Sequence, residues 1–135
     1  MNYTAKEINS IVAEIHYQLT LTASSSVRWS WGAHSYQAIV YNDMPALCFR
    51  VSGCLHKGWV MICYNDSTDL YDIYCVSVKH QVKNMIEGVY CDCLGQVVDS
   101  MVERKIGQSD DEYFRQAMKD SRSKMNKAGT SARLN

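Results

Sequence analysis

Two cysteines bracketing one aspartate, Cys91-Asp92-Cys93, form the sharpest local motif in the chain. Thiolates at this spacing chelate zinc when two further ligands converge, and the available partners are His80, His56 and Cys54. No CxxC or HxxxH pair accompanies them. The spacing therefore favours a strand-end thiol and a helix-start thiol, packed as small hydrophobes, over a metal site. A helix N-terminus at Cys93 would stabilise its thiolate, which makes a redox role the second reading. Cys54 and His56, two residues apart in a glycine-flanked loop, are the only thiol and base close in sequence, and no serine or cysteine stands in a nucleophile-elbow context. Asp66, Asp69 and Asp72 lack the spaced oxygens and central glycine of a calcium loop and read as a solubilised hairpin tip.

Aromatic residues offer a different chemistry. Trp29, Trp31, Trp59, Tyr64, Tyr71 and Tyr74 all fall in strand-like runs. Most should fill a core, but a sheet whose helices cover one face displaces some aromatics to the other, and an exposed apolar patch marks an interaction surface. Trp59, Tyr64 and Tyr74 are the candidates, with a protein partner or a homodimer as the occupant. The alternative is nucleic acid. Residues 115–135 carry six basic side chains against one acidic, a net +5, while the preceding 114 residues carry −5 and the whole chain is formally neutral. Arg115, Lys119, Arg122, Lys124 and Lys127 are then the candidate phosphate contacts. The acidic body and the absence of a glycine-aromatic RNA-binding signature rank this reading second.

At 135 residues and 47% hydrophobic, the chain can bury a core without metal or disulfide staples. A single domain over residues 1–125 is expected, followed by a flexible basic tail at 126–135. The N-terminal MNYTAKEINSIVAEI lacks the pattern of an export signal, so a cytoplasmic protein with reduced thiols is expected. No apolar run approaches the ~20 residues of a membrane span, no membrane association is expected, and no motif calls for a cofactor.

The elements follow from periodicity and capping. Thr4-Ala-Lys-Glu7 has capping-box spacing, and Ile8, Ile11, Val12, Ile15 and Leu19 mark one face of a helix over residues 5–21. Val27-Arg-Trp-Ser-Trp31 alternates as a half-buried strand would, with Gly32-Ala-His-Ser35 turning the chain. Tyr36–Asn42 reads as the next strand and Asn42-Asp-Met-Pro45 as a turn. From Ala46 to Val78, three strand-like runs are separated by two stretches of turn chemistry. Leu47, Phe49 and Val51 point inward; Trp59–Tyr64 is apolar on both faces and predicts a central strand. Val82–Tyr90 can form a further strand. Asp92 is the expected N-cap of a second helix ending near Lys105 before Gly107, and Ser109-Asp-Asp-Glu112 opens a third over about 110–124.

Short connections require antiparallel pairing. The fold class is therefore α+β: a two-layer sandwich with an N-terminal helix, a meander of five or six strands, and one or two C-terminal helices. Over SWG, LCFRVSGCLHKGWVMICYND and DLYDIYCVSV, roughly Trp29 to Val78, the chain resembles small uncharacterised bacterial proteins of commensal genomes and mobile elements. That resemblance implies a small cytoplasmic accessory factor and assigns no functional residue. The expected function is a non-enzymatic protein-protein interaction module.

Overall fold

In the N-terminal segment, the Thr4 hydroxyl accepts from the Glu7 amide at 3.1 Å while the Glu7 carboxylate accepts from the Thr4 amide at 2.8 Å. This reciprocal cap starts helix α1, Ala5–Thr22. Its Val12, Ile15 and Leu19 are buried, the stripe that the 3.6-residue period marks. The computed structural model describes residues 3–103. Gly107, the Ser109–Glu112 capping box, the expected helix over 110–124, the five candidate phosphate contacts and the 126–135 tail lie outside the described residues.

The next segment departs from the expected strand. Ser24 caps a short helix α2, Ser25–Ser30, by accepting from the Val27 amide at 3.3 Å. Val27 and Trp31 stand four residues apart on one helical face, whereas Trp29 between them is 84% exposed. Trp31 itself is fully buried beside Phe49, and its indole N–H donates to Asp99 Oδ1 at 2.9 Å.

Five strands follow as an antiparallel meander in the order β1-β2-β3-β4-β5. They are β1 His34–Tyr41, β2 Met44–Ser52, β3 Lys57–Asn65, β4 Leu70–Val76 and β5 Val82–Val89. The β1–β2 turn is tighter than the four residues expected. Asn42 and Asp43 both take positive φ (51° and 62°), as a two-residue hairpin matching the right-handed strand twist requires, and Met44 and Pro45 already belong to β2. A short 3-10 turn, Cys91–Cys93, leads into helix α3, Leu94–Val102. Asp92 therefore lies inside that turn rather than capping the helix; Cys93 holds the cap position, without a side-chain cap bond.

Helices α1 and α3 pack against each other and share one side of the sheet. Val12, Ile15 and Leu19 from α1 and Leu94, Val97 and Val98 from α3 meet Phe49, Val60, Ile62 and Ile73 in the main core. The helix crossing depends on Gly95. Its amide donates to Thr22 Oγ1 at 2.8 Å, and a Cβ there would collide with the Thr22 carbonyl. The β2–β3 loop docks on the end of α3, with the Leu55 amide donating to the Val102 carbonyl at 2.8 Å. No described helix is long and apolar enough to cross a membrane.

Candidate functional site

Because β3 is central, its alternate residues face two environments. Val60 and Ile62 enter the helix-covered core. Trp59, Met61 and Cys63 point the other way, into a second apolar cluster with Met44, Ala46, Cys48, Tyr74 and Val76. No described helix contributes to this cluster. Its members pack sideways across the strands, with Cys48 opposite Met61, Met61 opposite Tyr74, and Trp59 opposite Val76. Ile39, Tyr41 and Trp59 form a half-buried rim. Tyr41 meets Tyr74 edge-on at 5.0 Å, and the Arg50 guanidinium lies 5.2 Å above the Trp59 ring.

The three expected surface aromatics do not share one face. Trp59 lies on the rim. Tyr74 belongs to the same cluster but is 6% exposed, so it forms the floor rather than the contact. Tyr64 has the parity of Val60 and Ile62; it packs against the main core beside Tyr71 at 5.9 Å and donates to Asp69 Oδ1 at 2.8 Å. Burial, reinforced by that Asp69 carboxylate, pushes the Tyr64 phenol up to about 12. Burial also pushes the Cys63 and Cys75 thiols up to about 12, on opposite faces of the sheet.

The polar candidates are dispersed. Cys91 and Cys93 are both buried where the 3-10 turn meets the main core, and Cys93 Sγ donates to the Tyr90 carbonyl at 3.4 Å. His56 is buried with Nε2 3.0 Å from the Trp59 carbonyl oxygen, while Cys54 is exposed and donates to Glu103 Oε2 at 3.5 Å. His80 occupies the exposed β4–β5 turn with φ 65°. No three His, Cys, Asp or Glu side chains among the described residues are grouped to hold a metal ion.

Asp72 corrects the hairpin-tip reading. It is 3% exposed on the side of the sheet away from α1 and α3, opposite Cys63, and accepts from Asn65 Nδ2 and from the Gly88 amide, each at 3.1 Å. Gly88 takes φ 71° where the β4–β5 register shifts, so the carboxylate ties the bulge of β5 to the hairpin of β3 and β4. Asp72→Ala is expected to cost about 1–3 kcal/mol, because the Gly88 amide loses its partner. Urea unfolding checks this, and an unchanged midpoint would show the bond to be dispensable. Sequence reasoning missed Asp72, Met44, Cys48 and Met61 as one surface. Their common signal is strand parity, legible only once the register of β2, β3 and β4 is known. No family model, curated protein or solved structure matches this chain.

Proposed function

We propose that this protein is a non-enzymatic interaction module that associates with a second copy of itself through the side of its sheet opposite α1 and α3. One observation carries the reading: a second apolar cluster, to which no described helix contributes, reaches the sheet edge at Ile39 and Tyr41 with those side chains incompletely buried. Apolar surface beyond the core under α1 and α3 is stabilised by association. A cytoplasmic accessory factor is the cellular setting that goes with this reading.

Ile39→Asp tests it. A carboxylate at this rim position is left unpaired in an apolar contact, and self-association measured by sedimentation velocity is expected to weaken by roughly tenfold or more. Equal association by wild type and variant would count against this side of the sheet as the contact.

A further inference from the structure

The two edges of the sheet differ. Strand β5 carries Lys83 and Glu87 and shifts register at both ends, devices that discourage edge pairing. Strand β1 contains no Asp, Glu, Lys or Arg, and after one register shift between His34 and Gln37 it pairs regularly with β2 to Tyr41. The Asn42-Asp43 hairpin makes Tyr41 and Met44 the hydrogen-bonded closing pair, so Gln37, Ile39 and Tyr41 bond inward to β2. The amides and carbonyls of Ala38 and Val40 consequently point away from the sheet, while Tyr36 lies in the register shift between His34 and Gln37. Pro45, opposite Val40, fits this phase, since a non-hydrogen-bonded pair demands no N–H from it. Among the described residues nothing pairs with this outer edge. Ala38 is exposed and Val40 is 55% exposed.

We infer that β1 is the seam of a homodimer: two β1 strands pair antiparallel about a two-fold axis at Ala38, joining two sheets into one. This rests on the self-association reading and specifies where on the sheet the contact lies. The pairing places Ala38 opposite Ala38 of the second copy in a hydrogen-bonded pair, and Tyr36 opposite its Val40. Gln37 falls opposite Ile39 of the second copy on the face away from α1 and α3. The apolar clusters then continue across the seam, which covers the rim at Ile39. Charge selects this occupant: an uncharged strand sets no like charges against its own copy, whereas an edge built for a basic or acidic partner would carry the opposite sign.

Three variants decide the matter by sedimentation velocity, with circular dichroism as the check on folding. Ala38→Pro removes an outward N–H that the β1–β2 ladder does not use and sets its ring on the edge, so association should fall roughly a hundredfold. Val40→Lys keeps the backbone intact and places a charge beside Tyr36 of the second copy; a loss of roughly tenfold or more is expected, and this variant decides if the proline disturbs folding. Trp59→Asp, two strands from the seam, should weaken association less than Val40→Lys does. A dimer that tolerates Val40→Lys but is lost with Trp59→Asp would overturn the edge seam in favour of face-to-face packing, leaving self-association standing. A wild-type chain that stays monomeric would overturn both.

Discussion

Trp31→Ala is expected to lower stability by about 3–5 kcal/mol, the range for removing a fully buried large aromatic side chain. Trp31 has no exposed surface, packs beside Phe49 and joins three parts of the fold. Its carbonyl accepts from the Ser52 amide at 2.7 Å at the end of β2, and its indole donates to Asp99 on α3. The alanine variant therefore leaves both a cavity and a carboxylate oxygen without this donor. A domain of this size holds only about 5–15 kcal/mol in total, so the variant should unfold at markedly lower urea. Trp31→Phe separates the two contributions: it keeps much of the packing, removes the hydrogen bond, and should cost about 1–3 kcal/mol. An alanine variant within 1 kcal/mol of wild type, roughly the scale of an ordinary substitution, would contradict this placement of Trp31.

The second large effect is loss of stability at alkaline pH. Burial raises the Cys63 and Cys75 thiols from an ordinary value of 9.0 to about 12 in the folded chain. Below pH 9 both states hold these protons and the contribution is complete. Between 9 and 12 the unfolded chain releases them and the folded chain does not, so each thiol shifts the balance toward unfolding by about 1.4 kcal/mol per pH unit. Two thiols together remove about 4 kcal/mol by roughly pH 10.5. Burial likewise raises the Tyr71 phenol above its ordinary 10.0, adding loss in the same direction at higher pH. Urea titrations at neutral pH and near 10.5 measure the difference, and Cys63→Ala should remove about half of the thiol-dependent slope. Stability that stays flat to pH 10.5 would mean that these thiols are accessible to solvent.

The meander was legible because local signals agreed with the tertiary result. The capping box at Thr4, the apolar stripe of α1 and the turn chemistry at Asn42-Asp43 each fix a local geometry without help from distant residues. The apolar character of Trp59–Tyr64 on both faces likewise has its counterpart in two clusters, one on each side of β3. Residues 27–31 were misread for a specific reason. Over five residues, a period of two and an i, i+4 spacing both place Val27 and Trp31 on one side. Only Trp29 separates the patterns, and it projects away from the core. The serines before it act as a cap for α2 rather than as a break. The aromatic surface was misassigned because composition alone counts a surplus without giving its phase. Tyr64 and Tyr74 separate by parity once Tyr64 pairs with Tyr71 and Met61 with Tyr74. The difference between the edges was equally hidden, because an unpaired strand is a property of sheet order rather than of its own sequence.

Sedimentation equilibrium of the wild-type chain over a wide range of concentration tests the central claim most directly. Self-association through the sheet gives a mass approaching twice the 15.4 kDa of the chain at high concentration, falling toward the single-chain value on dilution. A mass that stays at 15.4 kDa throughout would contradict it.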